Sequence, residues 1–276
     1  MSEEEVVIYE ENEDQTISTI RINRPAKKNA ISWAVVRGIL KYLDVAERSE
    51  SRVIIITGSD EIFSSGIDLN SLMGKDALML EDHPKTGNTA RGRFFNLSKF
   101  QQLNMKMSKM EKPIIARITG ICWGIACELM INCDFRFCLE SSSFTLMEGK
   151  YGFNPDQGGM IGLVKIVGIP AAKDLMMTAR KFDGKEAYRL GLMTGVAKSI
   201  EEMDAQIKYY VDEIIDSAPL AVGLGKKMVD WAYGKDTDFG IDIENLINSY
   251  LLETRDMKTG AMARIKKKRF PKWRGK

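Results

Sequence analysis

Two glutamates of this 276-residue chain stand where a carboxyl group can exchange protons with a bound ligand. Glu128 lies in GICWGIACELM, just past a glycine-containing turn and in the first turn of an apolar helical run. A helix dipole favours the ionised form there, which suits a base. Glu148 lies in SFTLMEGKYGFNPDQGG, after a short apolar strand and ahead of a glycine-rich loop. Two carboxyls that meet across a cleft repel when both are ionised, so one pKa rises and a proton donor stands beside a base. Spacing alone does not bring them together, and two unrelated capping glutamates satisfy the same pattern.

Two turns can supply the matching anion donors. FSSGIDL at 63–69 turns at Gly66, which aims the next backbone N–H outward. GICWG at 120–124 turns ahead of a helix N-terminus, a second natural anion position. If these N–H groups converge, they form an oxyanion hole. Other chemistries have less support. The single histidine, His83, sits in a polar stretch beside Asp82 and Pro84, so it reads as exposed and offers neither a Ser-His-Asp triad nor a histidine metal site. Cys122, Cys127, Cys133 and Cys138 match no CxxC pattern and are expected as reduced, structural thiols.

The elements that must position these groups follow from periodicity. Val6 to Tyr9 and Thr16 to Asn23 alternate apolar with polar residues around the turn ENEDQ, as a hairpin does, and Pro25 ends the second strand. Helical spacing runs from Ile31 to Arg48 with Ser32 as N-cap. VIIIT at 53–57 and PIIARI at 113–118 are continuously apolar, as buried parallel strands are, and Phe135 to Cys138 is another strand. Between them, a polar excursion over 74–92 precedes a helix from about Phe95 to Met110. From Asp156 onward the chain reads as helical: Gly158 to Val167, Ala171 to Thr178, Gly184 to Leu190, Glu201 to Ser217, and one long amphipathic stretch from Leu220. The expected class is α/β, with a core over 1–200 and a helical region over 201–276.

With 44% hydrophobic and 28% charged residues the composition is that of an ordinary globular protein. No apolar run approaches the roughly 20 residues that cross a bilayer. The acidic start MSEEEVVIYEENED resembles neither a signal nor a transit peptide, so a cytoplasmic location is expected. Net charge is only +2, but the last eleven residues gather Lys266, Lys267, Lys268, Arg269, Lys272, Arg274 and Lys276. That tail can meet phosphates, or it can be a solvated helix end favoured by the dipole.

Taken together, these segments resemble the crotonase (enoyl-CoA hydratase/isomerase) superfamily along nearly the whole chain. NRPAKKNAI at 23–31 is similar to the family's NRPxxxNAL motif, and FSSGIDL to its F-x-x-G-x-D-[IL] loop. KPIIARITGICWGIACELMINCDFRF at 112–137 resembles the KPxIAxVxGxxxGGGxELxxxCDxxx signature. GIPAAKDLMMTARKFDGKEAYRLGLMTGV and TRDMKTGAMARIKKKRFPKWRGK resemble the family's later helical segments.

The resemblance implies a ββα spiral core, a helical C-terminal trimerisation region, homotrimers or homohexamers, and hydration of a 2-enoyl-CoA by syn addition of water across C2–C3. It places Glu128 and Glu148 at the two hydratase glutamates and the amides of Ile67 and Ile125 at the oxyanion donors. Coenzyme A, carried by the substrate, is implied along Ala26, Lys27, Lys28, Ser64, Ser65, Gly66 and Asp68, near Gly124, with Lys266 or Lys267 on its phosphates. No metal or other cofactor is implied, and no nucleic-acid or membrane partner.

This chain also departs from the pattern. Ile125 and Ala126 replace glycines, and the Ile narrows the acyl pocket while keeping its amide. Met147 replaces the usual proline before the second glutamate. Asp156 stands where glycine is common: facing inward it adds a third carboxylate and opens a different reaction, such as diene isomerisation; facing outward it is a loop residue. Trp123 either walls the acyl pocket or packs in the core. Isomerases typically keep only the second glutamate, so the presence of both favours hydration, with isomerase, lyase or hydrolase chemistry as the alternative. A rival from another class is a non-catalytic protein that binds RNA or a partner through its basic tail.

Overall fold

The computed structural model describes residues 5–73, 101–266 and 272–275. The excursion at 74–92 with His83, and Lys267 of the tail, lie outside the described residues.

The alternating segment ahead of Pro25 forms an antiparallel hairpin, β1 (Val7–Glu11) and β2 (Ile17–Ile22), with Val7 opposite Ile22. Helix α1 (Trp33–Arg48) starts where Ser32 Oγ accepts from Val35 N at 3.4 Å. Its inner stripe is Val35, Val36, Ile39, Leu43 and Ala46. Each large apolar side chain buried in this way contributes roughly 1.5–3 kcal/mol.

VIIIT forms β3 (Val53–Thr57), parallel to both β2 and β4 (Ile114–Ile118). Its unbroken apolarity reflects a sheet covered on both sides. Ile54 and Ile56 join the main core, while Val53 joins a second cluster with Met203, Ile207 and Val211. β6 (Phe135–Leu139) and β9 (Gly195–Ala197) complete this sheet in the order β1-β2-β3-β4-β6-β9. A smaller sheet of β5 (Ile121–Trp123), β7 (Ser143–Thr145) and β8 (Phe182–Asp183) has the order β5-β7-β8. Short helix α2 (Leu69–Met73), the helical residues 101–109 of α3, and α4 (Ile125–Ile131) complete this half, with Leu103, Met107, Leu129 and Met130 in the main core.

The C-terminal half corrects the sequence reading in two places. The stretch after Asp156 is not purely helical, because β8 and β9 interrupt it; at 2 and 3 residues they are too short to show a period of two. The helices expected before and after Gly168 are both present within α5 (Gly159–Thr178), which is broken where Gly168 leaves helical geometry at φ 75° just ahead of Pro170. The run from Leu220 divides into α8 (Pro219–Ala232), α9 (Thr237–Leu252) and α10 (Arg255–Ile265), the latter two capped by the side chains of Asp236 and Thr254. Helices α6 (Gly184–Arg189) and α7 (Ile200–Ile215) lie close to their expected ranges. α7 supplies Met203, Ile207 and Val211 to the outer face of the large sheet, so core packing crosses residue 200. Among the described residues no helix is long and apolar enough to cross a membrane.

Candidate active site

The site is assembled where two loops lock together. Asn29 Oδ1 accepts from Arg24 N at 2.8 Å while Asn29 Nδ2 donates to the Ile62 carbonyl at 3.0 Å, tying the NRPAKKNA turn to the segment after β3. Arg24 then pairs with Asp68 at 2.9 Å, and Ser65 N donates to the Lys28 carbonyl at 3.0 Å. Within the second loop, Ser64 Oγ accepts from Gly66 N at 3.1 Å. Gly66 has φ 98°, and a Cβ there would lie 2.7 Å from the Trp123 carbonyl, so no side chain fits.

That close approach also brings together the two segments that carry the expected anion donors. Ser64 N donates to the Ile121 carbonyl and Trp123 N to the Ser64 carbonyl, so the loop runs as an extra strand alongside β5. Further along each segment, Ile67 N and Ile125 N have no acceptor among the described residues. The amide of Ile125 opens α4, following Gly124, whose own amide is taken by the Thr145 carbonyl at 2.8 Å.

Glu128 sits one turn into α4 and is 1% exposed. Its Oε2 accepts from Gln157 N at 2.6 Å and Gly159 N at 3.1 Å, leaving the other oxygen outside these bonds. Glu148 heads a 3-10 turn (Glu148–Tyr151) and is 4% exposed. A Cβ on Gly124 would lie 2.9 Å from Glu148 Oε1, which places this carboxyl beside the start of α4. Glu148 Oε2 is buried with no hydrogen-bond partner among the described residues.

Burial dominates the acidity of both groups. The Glu128 carboxyl is pushed up to about 8 by desolvation, opposed by the Gln157 and Gly159 amides and reinforced by the charges of Glu148 and Asp156. The Glu148 carboxyl is pushed up to about 7, again by desolvation first, with Asp156 adding to it. The expectation that the helix start keeps Glu128 readily ionised is therefore corrected. Removal from water outweighs a dipole worth about 0.3–1 kcal/mol at an exposed end. Asp156 is also raised by burial, and its Oδ1 accepts from Gln157 Nε2 at 2.8 Å. Since it acts on both glutamates, it belongs to the same electrostatic cluster.

The remaining expected positions divide. Ala26, Lys27 and Lys28 are exposed, and Lys27 borders a 380 Å³ cleft shared with Arg24, Arg37 and Asp68. Ser65 is half-buried. Ser64 is fully buried and holds the Gly66 turn, so its side chain offers no ligand contact, and Asp68 is occupied by Arg24 and by Asn70 N. Trp123 Nε1 donates to Ser143 Oγ at 3.2 Å while Lys181 Nζ lies 4.3 Å over its ring. Lys266 caps the exposed C-terminal end of α10. The four cysteines are buried free thiols. Among the described residues no group of three or more His, Cys, Asp or Glu is arranged to hold a metal ion. Residue-type reasoning missed Arg24, which pairs with Asp68, and Gln157, whose amide donates to Glu128; Arg24, inside the NRP motif, carried a sequence signal.

Comparison with known proteins decides the family. The family profile described as enoyl-CoA hydratase/isomerase matches residues 12–276. The chain belongs to that family. Among curated members it is 32% identical over 273 residues to the peroxisomal Delta(3,5)-Delta(2,4)-dienoyl-CoA isomerase of Arabidopsis thaliana, covering 95% of this chain and 94% of that protein. It is 28% identical over 256 residues to the short-chain-enoyl-CoA hydratase of Clostridium acetobutylicum, covering 92% and 93%. The crystal structure of an enoyl-CoA hydratase from Bacillus anthracis superposes with a TM-score of 0.86 at 24% identity, covering 98% of this chain and all of that one. The crotonase-type fold expected from the motifs is therefore the fold observed.

Proposed function

We propose that the protein is an enoyl-CoA hydratase in which Glu128 and Glu148 activate and deliver water. The observation that carries this reading is the pair itself: two buried carboxyls beside two backbone amides that lack acceptors. The thioester oxygen accepts from Ile67 N and Ile125 N. Water held between the glutamates attacks C3 and gives its proton to Glu128, the electron pair moves onto the thioester oxygen as an enolate, and Glu148 returns a proton to C2. With values of about 8 and about 7 both carboxyls exchange protons near neutral pH, and the addition needs Glu128 ionised and Glu148 protonated. The higher value falls on the proposed base although the amides of Gln157 and Gly159 already favour its ionised form, so the reactive distribution of charge is the minor one before substrate binds.

Coenzyme A would lie along Lys27 and Lys28, its phosphates meeting the basic cleft and Lys266. We also propose that copies of the chain assemble as trimers, singly or paired, through the uncovered apolar side chains of α9 and α10, among them Leu246, Tyr250 and Met262. Turnover of crotonyl-CoA, followed as ultraviolet loss of the conjugated thioester, tests the hydratase reading. Wild type should be active, and Glu128→Ala and Glu148→Ala should each lose at least about a hundredfold. An inactive, folded wild type on both crotonyl-CoA and a longer enoyl-CoA sinks it.

Asp156 favours one second reading, isomerisation of a dienoyl-CoA, in which a carboxylate removes a proton at one end of the conjugated system and another carboxyl returns one at the other end. Its charge raises Glu148, and a dienoyl-CoA isomerase is among the relatives. Conversion of an unconjugated-to-carbonyl diene without uptake of water, abolished in Asp156→Asn, would establish it.

A further inference from the structure

Three successive peptide groups link Asp156 to Gly159. The first and third turn their N–H groups, those of Gln157 and Gly159, onto Glu128 Oε2 at 2.6 and 3.1 Å. Gly158, between the two donors, has φ 82°, a left-handed turn that lets amides two residues apart face one oxygen. The middle peptide group carries the Gln157 carbonyl, which accepts from Asn132 Nδ2 at 3.4 Å.

The same Asn132 Nδ2 donates to the Glu128 carbonyl at 2.6 Å. One side-chain amide thus gives a proton to the residue that carries the carboxyl and another to the loop that carries its donors. Two carbonyl acceptors also fix which end of the Asn132 amide faces them, since its oxygen bonds neither. The outer two peptide groups are held from elsewhere: the Asp156 carbonyl accepts from Gln101 Nε2 at 2.9 Å, and the Gly158 carbonyl from Gly162 N at 2.9 Å. Those bonds run to α3 and within α5. Asn132, the C-cap of α4, bridges the loop to the helix of Glu128 itself.

The charges that reach Glu128 are both carboxyls, Glu148 from the turn after β7 and Asp156 from the loop. Of the cations on the neighbouring helices, Lys106 of α3 pairs with Asp44 and Glu47, and Lys165 of α5 lies 5.2 Å over the Tyr233 ring. The ionised form of Glu128 is favoured by the two loop amides, so movement of the loop away from α4 weakens both bonds that sustain it.

We propose that Asn132 is a positioning residue for Glu128, its side-chain amide tying the Glu128 carbonyl to the Gln157 carbonyl and so holding the two donating amides against the Glu128 carboxyl. This deepens the reading of Glu128 as the group that takes the proton from water, and rests on it.

NMR of carboxyl-labelled glutamate follows Glu128 directly and needs no turnover, its signal being the one lost in Glu128→Gln. Asn132→Leu removes both bonds. Asn132→Ser keeps a hydroxyl able to cap the Glu128 carbonyl, as Ser217 Oγ does for the Glu213 carbonyl at 3.0 Å, but its single proton cannot bridge two carbonyls. In both variants Glu128 should titrate at least about half a pH unit above wild type, an affinity for the proton about threefold higher. With crotonyl-CoA, kcat/KM at neutral pH should fall by about threefold or more and recover as pH rises, which a loss of stability alone would not produce. An unchanged Glu128 titration in Asn132→Leu overturns the proposal. So does a titration shifted in Asn132→Leu but normal in Asn132→Ser, which reduces Asn132 to a helix cap. If Asn132→Leu fails to fold, Asn132→Ser decides alone. A shift in a protein that hydrates no enoyl thioester leaves the positioning intact and rejects only the hydration chemistry; hydration by wild type with the titration unmoved in the variants does the reverse.

Discussion

Gly159 meets Glu128 twice: its amide donates to Oε2 at 3.1 Å, and a Cβ on it would lie 2.4 Å from the Glu128 Cγ. The helix that supplies the hydrogen bond can come so close only because it begins without a side chain.

Gly159→Ala should therefore displace the Glu128 carboxyl while leaving the residue itself in place. Overpacking of this kind costs about 1–3 kcal/mol, and misplacing a reacting group lowers kcat further. Thermal unfolding together with turnover of an accepted thioester checks it. The expected outcome is a folded, less stable protein with kcat down by at least about tenfold; full activity would show that Glu128 need not sit where it does.

The raised acidity of Glu128 has a consequence for stability. Its folded value lies above the ordinary 4.5, at about 8, so the folded state holds the proton more tightly than the unfolded chain does. The stability it contributes is complete below the unfolded value and is lost as pH rises through the folded one. Glu128→Gln, which stays neutral, escapes this loss. Denaturant unfolding of the two proteins at several pH values should show the variant gaining on wild type, by about 2–4 kcal/mol between the acid and alkaline ends of that window. A difference independent of pH would mean that Glu128 titrates normally.

On α9, Leu246 is 69% exposed and Tyr250 59% exposed, an uncovered apolar face that the proposed trimer would bury. Leu246→Glu with Tyr250→Glu should shift the light-scattering mass of the native protein from three or six chains toward one, without loss of helical content. A wild type that is monomeric at micromolar concentration removes the trimer from the reading.

Local patterns and motifs in the sequence were enough for the hairpin, the Ser32 cap, the buried strand VIIIT and the family, because each depends on periodicity or on residues close in the chain. They also named Glu128, Glu148, Ile67 and Ile125, through motifs whose order is retained even where Ile125 and Ala126 replace glycine.

What remained was decided by residues that meet only in the folded chain. Ser64 looked available to a ligand, but it lies under the Gly66 turn, and Asp68 is taken by Arg24. Asp156 could face either way until the structure placed it within the field of both glutamates. Glu128 begins a helix, which argues for an easily ionised carboxylate, yet burial reverses that, because desolvation depends on everything packed around a group and not on its neighbours in sequence. Gln157 carried no such signal, since the bond from its amide to Glu128 joins residues 29 positions apart that meet only in the folded chain.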